Sequence, residues 1–451
     1  MTWRQLPLFL FCAWAFSLGP IESVEAQTDN RDRHRVPAEF MSFRGAPWLE
    51  RDERVNEEQP ERVLDAMALA AGDVVADVGC GSGYYARRIA RRVLPGGTVY
   101  CEDIQPEMLD IMQQLAAEDG VANIEPVLGT FTDPKLPPDE VDWIIISDVY
   151  HEMSDPQAML AGIRRALSPT GRVALLEYRV EDGTGDHVKA DHTMSVRQVL
   201  REWKAAGFEL VALHDFLPGQ HLFFFRSAGS DVGGDVLADH DLFDAIEDGV
   251  VEAEAVGDGA DAVTVRIRRT GPVPIVVTSP AAVHFTAVGA RDMIARRDGW
   301  IVLVDDAWHD WSIRAIGRQA DHAPPGSDAP LAMLAPNTEP LLEELLYRIQ
   351  IGTYTVDDSP TLYPPRTQEV EQAAVWIVDG DLDYDTLARD VDAQRIPAEY
   401  AVAFALVFCD LAGVDVTTRE VWNDRERVFR MLRDQGLSAW YQIKTAGSFS
   451  R

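Results

Sequence analysis

The residues best suited to chemistry lie between positions 77 and 152. Asp77-Val78-Gly79-Cys80-Gly81-Ser82-Gly83 sets three glycines on alternate positions directly after an apolar run. Lacking a Cβ, such a loop turns tightly and lets a ligand come close to its backbone. Glu102-Asp103 closes the next apolar run, where a carboxylate accepts hydrogen bonds from both hydroxyls of a ribose. His151-Glu152 follows a later run, and an imidazole beside a carboxylate exchanges protons near neutral pH. A dinucleotide fingerprint, GxGxxG, needs its third glycine where Tyr84 stands, which argues against a nicotinamide-dependent dehydrogenase.

These residues need a scaffold that brings several strand ends together. Residues 60–226 alternate short apolar strands with helical patterns, which predicts a doubly wound α/β sheet. Strands are expected near 74–78, 98–102, 123–128, 141–147 and 172–177, with helices near 83–93, 106–118, 156–167 and 195–206. Two further runs, 208–214 and 221–225, are close enough in sequence to pair antiparallel at the sheet edge. In such a sheet a ligand binds beyond the carboxyl ends of the strands, which is where all the chemistry-bearing stretches fall.

Asp77 with the GxGxG turn resembles motif I of the class I S-adenosylmethionine-dependent methyltransferases. The resemblance extends in order and spacing through Glu102-Asp103-Ile104, Gly129-Thr130-Phe131 and Val141 to Asp148. With Asp148-Val149-Tyr150-His151-Glu152, Glu177-Tyr178-Arg179 and Leu217-Pro218-Gly219-Gln220-His221, the stretch 42–226 looks like a bacterial type 11-like subgroup. It implies a Rossmann-like seven-stranded sheet, S-adenosylmethionine as cofactor and transfer of methyl to a small-molecule or protein acceptor. It also implies that Asp77, Gly79, Cys80, Gly81 and Gly83 wrap the methionine portion. Asp103, with Glu102 as the alternative, would hold the ribose, and Ile104, Thr130, Phe131 and Asp148 complete the cofactor site. Thr130 departs from the pattern, because the family usually has an acid there for the adenine amino group.

His151 is the candidate base, with Glu152 or Tyr150 orienting it or the substrate. His192 and His221 are further candidates for the same cluster, against simple edge packing. Glu152, Glu181, Asp182 and His192 hold the ligand types for a divalent cation, but spacing alone does not show convergence and no metal ligand is assigned. Asp379 to Asp390 mimics an EF-hand loop, yet Tyr384 occupies its glycine position and an acidic helix start explains it better.

The rest of the chain bounds the function. Its 451 residues exceed a single core, and 41 Lys+Arg against 74 Asp+Glu give a net charge of −33. That surface repels phosphate backbones and anionic lipid, so no nucleic-acid or membrane partner is expected. Residues 1–26 read as a secretory signal peptide, which predicts export to the periplasm or medium; the alternative is a cytoplasmic product started at Met41. The four cysteines are too few for a disulfide framework and lack metal-ligand spacing. After a 27–59 extension and the 60–228 methyltransferase domain, a Gly/Asp-rich linker (229–235) leads to alternating strands over 235–322, read as a small β-sandwich. There Trp300, Trp308 and Trp311 are expected as core or edge aromatics. A linker over 323–337 precedes a helical domain, 338–451. It includes a helix with Leu341, Leu342, Leu345, Leu346 and Ile349 on one face, and another over 419–435 opened by a Thr417–Glu420 capping box. These appended domains are expected to hold a protein partner, localise the enzyme or cover its cleft. The rival reading is an exported, non-catalytic binding protein on a methyltransferase-like scaffold.

Overall fold

The computed structural model describes residues 37–185, 188–230, 236–336, 339–351, 367–392 and 394–434. The leader and most of the 229–235 linker lie outside them. Strands β1 (Val74–Val78), β2 (Thr98–Asp103), β3 (Ile124–Leu128), β4 (Val141–Ser147) and β5 (Leu167–Arg179) run parallel. A two-residue β6 (Thr193–Met194) pairs with the end of β5. β7 (Phe208–His214) and β8 (Gln220–Ser227) form the antiparallel pair, but β8 is interior, between β5 and the edge strand β7. The order β3-β2-β1-β4-β5-β8-β7 reverses direction between β1 and β4, which opens a crevice at their carboxyl ends.

Both faces of the sheet's centre are covered, so β1, β4 and β5 are apolar on both sides. Val75, Cys101, Ile145 and Leu176 pack under the helices Pro60–Met67, Tyr84–Arg92 and Pro106–Glu118. Ala76, Ile144, Ile146 and Leu175 pack under Pro156–Ala166 and Val196–Ala205.

The next region is not a sandwich. Strands β9 (Ala238–Asp241), β12 (Ile275–Ser279) and β15 (Gly299–Leu303) make a separate three-stranded sheet. β10 (Val251–Gly257), β11 (Ala262–Arg269), β16 (His309–Gly317), β14 (Met293–Ala295), β13 (His284–Thr286) and β17 (Pro330–Leu334) close into a barrel in that order. β17 falls inside the stretch expected to be a linker; it closes the barrel by pairing with both β10 and β13. Trp311 is buried in the barrel core, Trp308 is exposed beside Arg268, and Trp300 lies edge-on to His221 of β8.

The helices Pro340–Ile351, Gln368–Asp379, Tyr384–Asp390, Ala398–Leu411 and Arg425–Asp434 follow. Leu342, Leu345, Leu346 and Ile349 share the buried face, whereas Leu341 is exposed. The last helix starts at Arg425, not 419. Short 3-10 turns, Val416–Thr418 and Glu420–Asp424, take up the preceding residues, and Asp415 accepts the Thr417 N–H in place of the expected capping box. Asp383 caps the Tyr384–Asp390 helix through the Thr386 N–H, and Asp379 pairs with Arg318, so the EF-hand-like acids serve a helix start and an ion pair.

Candidate functional site

A cavity of about 620 Å3 opens beyond the carboxyl ends of β1, β2 and β4, within the size range of small-molecule sites. Its floor is the glycine turn. Gly79, Gly81 and Gly83 all have positive φ, and a Cβ on Gly79 would sit 2.5 Å from a Val149 methyl. Two acids pin this turn from either side. Asp77 accepts the Ala86 N–H at 2.9 Å, tying the strand end to the first turn of the Tyr84–Arg92 helix. Asp103 accepts the Gly81 N–H at 3.0 Å and the Gln105 N–H at 2.8 Å. Burial pushes the Asp77 carboxyl up to about 7 and raises that of Asp103.

Glu102 is the second acid of the pair. One oxygen accepts the Gly79 N–H at 3.2 Å; the other is buried without a partner, and burial pushes the carboxyl up to about 8. A Cβ on Gly129 would fall 1.6 Å from that second oxygen, which is why only glycine fits there. Ile104 lines the cavity, as does Phe131, whose ring lies 5.9 Å from that of Phe40. Thr130 and Gly83 are not among the lining residues. Thr130 turns its hydroxyl to the Asp133 N–H, at 3.0 Å, and Gly83 serves as the helix N-cap.

Two of the cysteines do form a disulfide: Cys80 of the glycine turn is bonded to Cys101 of β2. Asp77 and Cys101 are register partners on adjacent strands, so the loop after β1 folds Cys80 back over its neighbour. The sequence signal was there, a cysteine in the turn and another one strand away, but pairing depends on the strand order.

At the far end of the cavity stands a ledge built from two 3-10 turns, Tyr150–Glu152 after β4 and Ala190–His192 before β6. His151 is buried; its Nδ1 lies 2.6 Å from Glu177 Oε2 and its backbone N–H reaches Glu177 Oε1 at 3.1 Å. Its Nε2 has no protein partner. Burial acts to lower the His151 pKa, but the Glu177 carboxylate outweighs it and the ring is pushed up to about 9. Burial pushes Glu152 up to about 7, against a hydrogen bond from the Met41 amide. His192 joins the ledge, its ring 4.9 Å from that of His151.

Tyr150 does not belong to the ledge: its hydroxyl donates to Glu202 at 2.7 Å and its ring packs on Trp203, away from the cavity. His221 is buried with its Nε2 3.0 Å from Glu181, whose other oxygen accepts the Val196 N–H. Asp182 pairs with Arg179 and Thr184. Asp148 lines the cavity at positive φ and accepts two hydrogen bonds from Gln220 Nε2 at 2.8 Å; burial raises its carboxyl well above the usual range.

A third wall comes from the segment before the first strand. Phe40, Met41, Trp48 and Leu49 line the cavity, with Arg54 and Glu58, a buried ion pair at 2.5 Å. Gln105 anchors this segment through the Phe43 N–H and the Met41 carbonyl, and the Ala38 N–H donates to the His151 carbonyl. The only sequence sign of it was a cluster of aromatics, Phe40, Phe43 and Trp48, in a stretch with no periodicity.

Residues 69–213 match the family model described as a methyltransferase domain. The chain is 36% identical over 114 residues to a nocamycin O-methyltransferase of Saccharothrix syringae, covering 25% of this chain and 41% of that protein. It is 31% identical over 124 residues to an arsenite methyltransferase of Halobacterium salinarum, covering 28% and 32%. It is 27% identical over 117 residues to a demethylmenaquinone methyltransferase of Geobacillus sp. (strain WCH70), covering 26% and 50%. The chain thus spans a third to a half of the length of these curated relatives. A solved SAM dependent methyltransferase from Aquifex aeolicus overlaps 41% of this chain and 98% of its own at 24% identity, with a TM-score of 0.38.

Residues 69–213 thus match a methyltransferase domain, and over this stretch the chain is similar to S-adenosylmethionine-dependent methyltransferases, which implies S-adenosylmethionine as the cofactor.

Proposed function

We propose that the protein transfers methyl from S-adenosylmethionine to an acceptor bound between the glycine turn and the His151 ledge. The observation that carries this reading is the buried, partnerless Nε2 of His151 on the same cavity as the glycine turn and Asp103. When bound, the cofactor supplies an electrophilic methyl that an acceptor lone pair takes as the carbon–sulfur bond breaks.

The residues fit that cofactor. Asp103 and Glu102 offer acceptors for ribose hydroxyls, and the partnerless Glu102 oxygen is a buried acceptor that a ligand would satisfy. Phe131 and Phe40 provide apolar rings for a base, while Asp77 and Asp148 line the cavity as buried acids whose charged form a bound sulfonium cation would favour. His151, held in one orientation by Glu177, meets the acceptor through Nε2, and with its ring pushed up to about 9 it takes the acceptor's proton more readily as pH rises toward that value. Catalysis in this arrangement is chiefly positioning in a partly enclosed site.

Calorimetry with S-adenosylhomocysteine tests the reading: saturable binding at one site is expected, and no heat at millimolar ligand would remove it. With an acceptor in hand, His151→Gln is expected to lower turnover by about 10²–10⁴-fold while the affinity for S-adenosylhomocysteine stays unchanged.

The cysteines and the apolar leader support the reading of an exported protein. A disulfide under the cofactor loop suits an oxidising compartment, in line with the apolar leader and with export. N-terminal sequencing of the native protein is expected to start at Gln27; a start at Met41 would place the protein in the cytoplasm.

A further inference from the structure

The ledge carries more than a proton-exchanging histidine. One ligand atom each from His151, Glu152 and His192 lies within 4.8 Å of the others, on the wall of the cavity. Both imidazoles have their Nδ1 taken by a carboxylate: His151 by Glu177 at 2.6 Å, and His192 by Asp191 at 2.7 Å. A carboxylate on Nδ1 fixes the ring and leaves Nε2 as the free donor, an arrangement typical of metal-binding histidines. On the His151 side that donor is buried and has no hydrogen-bond partner, a costly state for a polar atom unless something binds there.

We propose that His151, Glu152 and His192 form a divalent-cation site for a first-row ion that accepts imidazole, such as Zn2+. Two imidazoles and one carboxylate are a catalytic-type set, three protein ligands with a position left open. Bonds of about 2.0–2.2 Å bring ligand atoms roughly 3–3.5 Å apart, so the site closes by little more than an ångström. Glu152 and His192, both half-buried, have room for that movement. The open position faces the cavity, so its occupant would be an acceptor bearing an oxygen or another lone-pair donor. A bound ion lowers the pKa of such an acceptor, and the ion then stands on His151 Nε2 in place of a proton. The proposal rests on the methyl-transfer reading only for what the open position faces. Glu181 and Asp182 take no part, being engaged with His221 and with Arg179.

The test is a Co2+ titration of the metal-stripped full chain, followed by visible absorption and reversed with Zn2+. A saturable band at one ion per chain, displaced by Zn2+, is expected. His192→Ala and Glu152→Gln, each checked for folding by circular dichroism, should weaken Co2+ binding by about tenfold or more. Absence of a saturable band at 1 mM Co2+ would overturn the proposal, as would a band that survives both substitutions. Binding of S-adenosylhomocysteine to the unaltered chain separates the two readings. S-adenosylhomocysteine binding without cobalt binding removes the metal site alone, and cobalt binding without S-adenosylhomocysteine binding removes methyl transfer alone.

Discussion

Asp103 and Glu102 sit side by side at the end of β2 but face different tasks. Asp103 spends one lone pair of each oxygen on a backbone amide, Gly81 and Gln105, and so shapes the turn and offers its remaining lone pairs to a ligand. Glu102 keeps a whole oxygen unpaired in a buried place. Asp103→Ala is therefore expected to weaken S-adenosylhomocysteine binding by about 1–3 kcal/mol, measured by calorimetry. An unchanged affinity would shift the ribose contact to Glu102. Residue types and spacing picked out Asp77, Gly79, Gly81, Asp103 and His151, which the fold brings to one cavity. They failed for Gly83, Thr130 and Tyr150, because the local course of a turn decides whether a residue meets the cavity or packs elsewhere. Tyr150, next to His151, rotates onto Trp203 instead.

Among elements, the loop after β1 and the end of β2 act as one piece, tied by the Cys80–Cys101 bond, by the Cys80 N–H on the Glu102 carbonyl and by Asp103 on Gly81. A crosslink closing a loop of this size stabilises by roughly 3 kcal/mol. Reduction, or Cys101→Ser, is expected to lower Tm by several degrees and to weaken S-adenosylhomocysteine binding, both read on the same preparation with and without reductant. Equal affinities in the two states would mean that the backbone bonds alone hold the turn. The parallel strands were legible because each is a short apolar run between turn residues. The barrel was not, since β13 and β14 are only three residues long and β17 lies in a Pro- and Asp-rich stretch. Closure there comes from pairings between distant segments, to which local periodicity is blind.

Across the whole molecule the appended regions share cores with one another and with the methyltransferase part. Val276 of β12 packs in the methyltransferase core, Ser195 bonds Asp298 at 2.7 Å, and Ile294 and Ile316 of the barrel join the helical core. No helix among the described residues is long and apolar enough to cross a membrane. The barrel and the helices meet around Glu371, fully buried between Arg296 and Arg297. Burial alone would raise this carboxyl, but the two guanidiniums hold it down at about 2. Its folded pKa lies below the unfolded value of 4.5, so its contribution is complete above about 4.5 and is lost as pH falls toward 2. Glu371→Gln should destabilise by about 3–5 kcal/mol near neutrality and flatten the loss of Tm between those pH values, as seen by thermal denaturation across pH.

The wall supplied by residues 38–49 ties the cavity to a segment well ahead of the first strand. A polypeptide initiated at Met41, or trimmed there by a protease, would lack Phe40, the ring that faces Phe131, and the Ala38 amide that supports the His151 carbonyl. A chain that begins at Met41 is therefore expected to bind ligand more weakly than one that keeps residues 38–40, and an affinity tag fused close to residue 37 would sit at the mouth of the pocket.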